Sequence, residues 1–171
     1  MFLDHVFRTP NPVPIEDISV DQWLCFVRAH LRQDHRIPES SDTNRLGIFD
    51  LSIRRLCDLG VMRNPRFARL HLKSVWFADW IPPETLQGFL GNTRKQYDLF
   101  SESMRLYSEI SDLLNMIGID AGYGRLSLSG ILSLAHIRGS IGAIKYVVGK
   151  DRKSNRYSIS RNAFVKANGI F

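Results

Sequence analysis

The chain has 171 residues, the length of one domain at about 100–200 residues per domain. Hydrophobic residues make up 44%, charged residues 23% and aromatic residues 11%, a composition that excludes a disordered, collagen-like or coiled-coil protein. The formal net charge of +6 favours contact with a polyanion, which could be nucleic acid, acidic cell-wall polymer or anionic lipid.

The N-terminal residues 1–16 are rich in proline and predict an extended arm, followed by a single domain over residues 17–171. The arm lacks the basic start and apolar run of a secretion signal, and no segment reaches the about 20 apolar residues of a membrane span. We therefore expect a protein made in the cytoplasm without a signal peptide or a membrane span. The two cysteines, Cys25 and Cys57, are expected to be reduced residues on buried helix faces.

Capping patterns predict the helices of the first half of the chain. Ser19 and Gln22 form a capping box that starts a helix over about residues 19–34, and Asp50 is placed to cap a short helix that ends at Gly60. Further helices are predicted over Asn64–Leu72 and from Pro83 onward.

The second half of the chain is predicted to be helical as well. Thr93 and Gln96 form a second capping box that opens the longest helix, about residues 94–117. Ser127 or Ser129 caps a helix that runs to about residue 137, Gly139 makes a turn, and helices follow over about 141–148 and 160–167. Only VWFAD and KYVVG look strand-like, so the predicted fold class is mainly α.

Common catalytic and cofactor motifs are absent from the sequence. It contains no Gly-rich phosphate loop, no paired Cys-x-x-Cys, no His-Glu-x-x-His and no Gly-x-Ser-x-Gly elbow, and its five histidines are scattered. We therefore expect neither a bound metal nor a cofactor.

Three segments resemble parts of one family. Residues 127–146 follow the pattern Ser-x-Ser-Gly-x-Leu-x-x-Ala-His-x-x-Gly-x-x-Gly-x-x-x-Tyr, which is similar to the C-terminal helical pair of lysozyme-like, transglycosylase-type domains of phage and prophage virion proteins. The segment RLGIFDLSIRRLCDLGVM resembles the glycine-hydrophobic-aromatic segment of those domains, and FLGNTRKQYDLFSESMRLY resembles their Phe-Leu, then Gln, helix. The resemblance covers about residues 19–148 and implies a single-domain lysozyme-like helical fold.

The resemblance implies cleavage of the peptidoglycan glycan by one acidic residue that acts as general acid and base. In the family this glutamate ends the first helix, a spacing that here falls on Arg32, Gln33 or Asp34. Arginine and glutamine cannot donate the proton, so the catalytic candidates are Asp34 and Glu39 in the following loop. The alternatives are that Glu39 is a solvated loop carboxylate or turn former and that Asp34 is a surface charge at the end of a helix.

Four further residues are candidates for substrate binding: Phe49, Asp50, Tyr123 and His136. Asp50 stands where the family favours a polar amide, and Tyr123 could stack on a sugar ring beside an exposed tryptophan. The structural alternatives are that Asp50 is a helix cap and that His136 is a hydrogen-bonded core histidine.

Three functions are consistent with these features. The first is a virion-associated domain that cleaves peptidoglycan as a hydrolase or lytic transglycosylase, with peptidoglycan or acidic wall polymer and other particle proteins as partners. The second is a non-catalytic structural component of a phage tail or gene-transfer particle. The third is a helix-turn-helix nucleic-acid binder over residues 134–148, which Lys145 disfavours because an apolar inward residue is expected at its position.

Overall fold

A computed structural model describes residues 13–31, 45–63, 80–122, 124–149, 162 and 164–171. These residues are mostly helical with one small antiparallel sheet, which confirms the mainly α prediction. In chain order the elements are α1 (Val20–His30), β1 (Arg45–Leu46), β2 (Leu51–Ser52), α2 (Ile53–Asp58), α3 (Leu86–Gly91), α4 (Thr93–Ser108), α5 (Ser111–Leu114) and α6 (Leu128–Val147). Within the described ranges, no helix combines the length and apolarity needed to span a membrane.

Residue contacts divide the chain into two compact units. The first unit comprises the described part of Leu31–Ser103, and the second comprises the described parts of Asn11–His30 and Met104–Phe171. The predicted helix over residues 64–72 and the VWFAD segment lie outside the described residues.

A β-hairpin opens the first unit. β1 pairs antiparallel with β2, Arg45 opposite Ser52 and Leu46 opposite Leu51, and the turn between them is closed by the Asp50 N–H, which donates to the Gly47 carbonyl at 3.1 Å. Ser52 caps α2 because its side chain accepts from the Arg55 N–H at 3.1 Å. The prediction that Asp50 caps this helix is therefore wrong, since Asp50 belongs to the turn.

Replacing Ser52 with alanine should lower the free energy of unfolding by about 1 kcal/mol, the usual cost of losing a helix N-cap. Ser52→Thr keeps the capping hydroxyl and should stay close to wild type. Urea denaturation of both variants measures the difference, and an alanine variant as stable as the threonine variant would contradict the capping role.

The start of α4 differs from its prediction. Its first turn is capped by Asn92, whose Oδ1 accepts from the Lys95 N–H at 2.9 Å, so Thr93 and Gln96 do not form the predicted capping box. The helix ends at Ser108, short of residue 117, because Ile110 has an extended backbone (φ −84°, ψ 105°) and α5 starts anew after it. The helix predicted from Pro83 starts at Leu86, capped by Thr85.

In the second unit, the first capping box is confirmed. The Ser19 N–H donates to Gln22 Oε1 at 3.0 Å, and the Gln22 N–H donates to Ser19 Oγ at 3.2 Å. The helix that follows ends at His30, four positions before the predicted end. Both cysteines are free thiols, but Cys25 is exposed and Cys57 only half-buried, so the prediction of buried cysteines is wrong.

α6 contains the predicted break. Ser127 caps its N-terminus by accepting from the Gly130 N–H at 3.1 Å, which decides between the two predicted caps. Gly139 leaves the helical conformation (φ 73°, ψ 167°) and separates two helical segments, as the sequence predicts. The strand-like KYVVG is helical over 145–147, and residues 164–167 are helical within the last predicted helix.

Candidate functional site

The six candidate residues are distributed over three parts of the chain. The two acids, Asp34 and Glu39, lie outside the described residues, as does Tyr123. Phe49 and Asp50 are neighbours in the hairpin turn of the first unit, and His136 belongs to α6 of the second unit.

Phe49 is buried in the first unit, with 1% of its surface exposed. Its ring stacks on Phe100 of α4 with centroids 4.6 Å apart and lies 6.3 Å from the Tyr97 ring. The ring therefore anchors the hairpin turn to α4 in the core of this unit.

Asp50 presents a partly exposed carboxylate at the same turn. Its backbone is left-handed (φ 54°), a conformation that costs a residue with a Cβ about 1 kcal/mol. Arg45 supports it, because Nη1 donates to the Asp50 carbonyl at 2.7 Å and lies 3.5 Å from the Asp50 carboxylate. The side chain of Asp50 stays 27% exposed. A carboxylate held in this way can accept hydrogen bonds from hydroxyl or amide groups of a ligand.

Gln96 of α4 holds the hairpin turn through hydrogen bonds. The sequence predicts a capping role for this residue and no role in the site. Gln96 is 1% exposed, and its Oε1 accepts from the Ile48 N–H at 2.7 Å. Its Nε2 donates to the carbonyls of Phe89 at 2.8 Å and Leu90 at 3.2 Å. The one available signal was its place in the Phe-Leu, then Gln, pattern, and a buried glutamine that uses both ends of its amide fixes the groups it joins.

Gly47 is required beside Gln96. Its φ is +77°, and a Cβ built there would lie 2.2 Å from Gln96 Oε1. Only glycine combines this left-handed backbone with the close approach of the amide.

A histidine pair lies in the second unit. His30 Nδ1 is 2.8 Å from the Phe26 carbonyl and Nε2 is 2.9 Å from Ser133 Oγ. Because a carbonyl only accepts, Nδ1 carries the proton and the Ser133 hydroxyl donates to Nε2 of the neutral ring. His136, 6% exposed, lies edge-on to His30 with ring centroids 5.6 Å apart. Burial lowers the pKa of His30 to about 4, so the ring is neutral near pH 7.

The serines of the 127–146 pattern have structural partners. Ser127 Oγ accepts from the Gly169 N–H at 2.8 Å, and Ser129 Oγ lies 3.1 Å from the Phe171 carbonyl. Asn168 Oδ1 accepts from the Ser127 N–H at 2.8 Å, and a Cβ at Gly130 would lie 2.3 Å from this oxygen. The small residues at the start of α6 thus allow residues 164–171 to pack closely against it.

The described residues offer little for binding a metal or DNA. They contain no group of three or more His, Cys, Asp or Glu side chains that could hold a metal ion. On the segment considered as a recognition helix, Ile141 is 66% exposed, and an isoleucine offers no hydrogen bond to base edges. Most of the excess positive charge lies in residues 64–79 and 150–161, outside the described part of the chain.

The chain was compared with protein-family models, with curated proteins and with solved structures. No family model matches it, and neither a curated protein nor a solved structure matches it.

Proposed function

We propose that this chain is a lysozyme-like domain of a phage-type particle that acts on peptidoglycan glycan strands, as a hydrolase or a lytic transglycosylase. The observation that supports it most is the Gln96 side chain, which bonds to Ile48 across 48 positions of the chain and to Phe89 and Leu90. Two of the three segments that carry the family resemblance are therefore joined by residues of the resembling patterns themselves.

This joining supports the resemblance for a physical reason. The hairpin segment and the Phe-Leu, then Gln, segment each resemble the family through their own residues. An accidental likeness gives no reason for the two segments to bond to each other, whereas a shared fold does, because its local patterns must agree with its tertiary contacts.

Glycan cleavage requires one proton donor and a surface that binds the sugar. Cleavage of a glycosidic bond needs a carboxylic acid that protonates the leaving oxygen, and Glu39 or Asp34 would supply it. Asp50 adds a partly exposed acceptor for hydroxyl or N-acetyl amide groups.

Purified peptidoglycan tests the enzymatic proposal by loss of turbidity and by the sugar ends that are released. Glu39→Gln should slow cleavage by about 100-fold or more, the contribution typical of a general acid. The matched control is Asp112→Asn in α5, an exposed acid outside the proposed site, which should cleave like wild type.

The outcomes of this experiment separate the candidate acids. Loss of cleavage in Asp34→Asn with full activity in Glu39→Gln would make Asp34 the acid. Full activity in both variants would remove both from the mechanism, and wild-type protein without any cleavage would contradict the enzymatic proposal.

One observation favours a second candidate function, a non-catalytic structural component of a phage tail or gene-transfer particle. The resemblance implies a glutamate at the end of the first helix, whereas the last turn of α1 carries Arg28 and the neutral His30 and no acid. The acid of α1, Asp21, lies in its first turn. A wild-type protein that binds peptidoglycan or assembles into a particle without releasing sugar ends would support this alternative.

A further inference from the structure

We infer that Gln96 is a positioning residue for glycan binding, acting through the carboxylate of Asp50. The inference rests on the proposed function for the nature of the ligand. It adds a residue that touches no ligand, since Gln96 is 1% exposed and its amide is bonded within the protein.

The first step is the immobility of Gln96 itself. Its Nε2 is anchored to two successive carbonyls of α3, at Phe89 and Leu90, and its backbone N–H donates to the Asn92 carbonyl at 3.1 Å in the first turn of α4. Side chain and main chain are therefore both fixed by the junction of α3 and α4.

The second step is that the fixed Gln96 side chain in turn holds the hairpin turn in place. Gln96 Oε1 holds the Ile48 N–H, and the neighbouring Phe49 ring stacks on Phe100 of the same helix, α4. The turn is thus attached to α4 at two successive residues. Gly47, pressed against Oε1, leaves the turn no room to shift toward Gln96.

The third step concerns Asp50, which follows these two residues. Its left-handed backbone is unfavourable by itself and persists only where the surroundings determine it. Two sets of contacts supply that constraint. Ile48 and Phe49 are attached to α4, and Arg45 donates to the Asp50 carbonyl. Without Gln96 the turn relaxes, and the Asp50 carboxylate loses the orientation in which it binds a sugar.

The test uses the full chain. Binding of the probe N,N′,N″-triacetylchitotriose is measured by NMR titration. Gln96→Met keeps the side-chain length but removes both polar ends, and Gln96→Glu keeps the acceptor for Ile48. In Gln96→Met we expect about tenfold faster exchange of the Ile48 amide, shifted Asp50 backbone resonances and about tenfold weaker chitotriose binding, as for loss of one buried hydrogen bond. Gln96→Glu should recover part of all three.

A double variant separates positioning from a general loss of structure. If Gln96 acts through Asp50, Asp50→Ala alone and Asp50→Ala with Gln96→Met should bind the probe equally weakly. A further tenfold loss in the double variant would overturn the inference. Asp98→Asn, on the exposed face of α4 where it pairs with Arg94, is the matched control and should change neither amide exchange nor binding.

Failure of the inference and failure of the proposed function give different results. Unchanged Ile48 exchange and unchanged Asp50 resonances in Gln96→Met would overturn the positioning role. Absence of chitotriose binding by the wild-type protein would instead overturn glycan binding as the purpose of the site.

Discussion

Gly47→Ala should lower the free energy of unfolding by about 3 kcal/mol. An alanine at φ +77° pays about 1 kcal/mol for the left-handed backbone. Its Cβ would also lie 2.2 Å from Gln96 Oε1, so the amide must move and leave the buried Ile48 N–H without its acceptor, at about 1–3 kcal/mol. Urea denaturation followed by circular dichroism measures the sum.

Gly60 offers the matched control for this prediction. Its φ is +72°, but nothing lies within 4 Å of a Cβ built there, so Gly60→Ala should lose only about 1 kcal/mol for its backbone. The difference between the two variants isolates the contact with Gln96. Equal losses in both would show that the contact does not matter, and adding Gln96→Ala to Gly47→Ala should cost less than the two separate losses together.

The stability of the second unit should fall by about 3 kcal/mol as the pH drops from about 6.5 to about 4. Burial lowers the pKa of His30 from 6.5 to about 4, so in this interval the unfolded chain binds a proton that the folded protein does not. Each pKa unit corresponds to about 1.4 kcal/mol, and above pH 6.5 both states are neutral and the effect vanishes.

The groups around His30 act in both directions: the Phe26 carbonyl on Nδ1 raises the pKa and offsets part of the effect of burial, whereas Lys166 lowers the pKa further. His136 of α6 lies edge-on at 5.6 Å, Ser133 donates to Nε2, and the positive charge of Lys166 from the C-terminal helical segment further disfavours protonation. A proton on Nε2 would require the Ser133 hydroxyl to turn from donor to acceptor.

Comparison with His30→Gln separates this histidine from the carboxylates that also titrate at low pH. Urea denaturation at half-unit steps from pH 4 to 7.5 should give a steeper decline for wild type than for the variant, with the curves parallel above pH 7. Parallel curves over the whole range would contradict the lowered pKa of His30.

The sequence patterns correctly predicted features that depend only on contacts between near neighbours in the chain. The box of Ser19 and Gln22 forms because both partners lie within one helical turn, and Gly139 breaks α6 because its own backbone is free to adopt φ 73°. The N-cap at Ser127 is equally local. In each case the competing conformations are settled within about four residues.

Local patterns failed where a contact outside the pattern competed with it. Thr93 and Gln96 have the spacing of a capping box, but the Gln96 amide bonds to Ile48, 48 positions away, and Asn92 takes over the cap. Asp50 and Ser52 are both good caps, and pairing of β1 with β2 left Asp50 in the turn and Ser52 at the helix start.

For the candidate site, the sequence identified the hairpin turn but not its support. Phe49 and Asp50 were selected by resemblance, and they do lie side by side at one turn. Gln96 was invisible as a site residue, because a polar residue on a helix looks the same in sequence whether it faces solvent or a buried N–H.

The sequence by itself determined a mainly helical protein, the capping box of Ser19 and Gln22 and the glycine break at Gly139, since these follow from composition and from contacts between near neighbours. Only the tertiary structure decided that Gln96 holds the Gly47–Asp50 turn and that His30 is a partly buried, neutral ring beside Ser133 and His136. Both depend on burial and on partners tens of residues away, which are set when the chain packs its core.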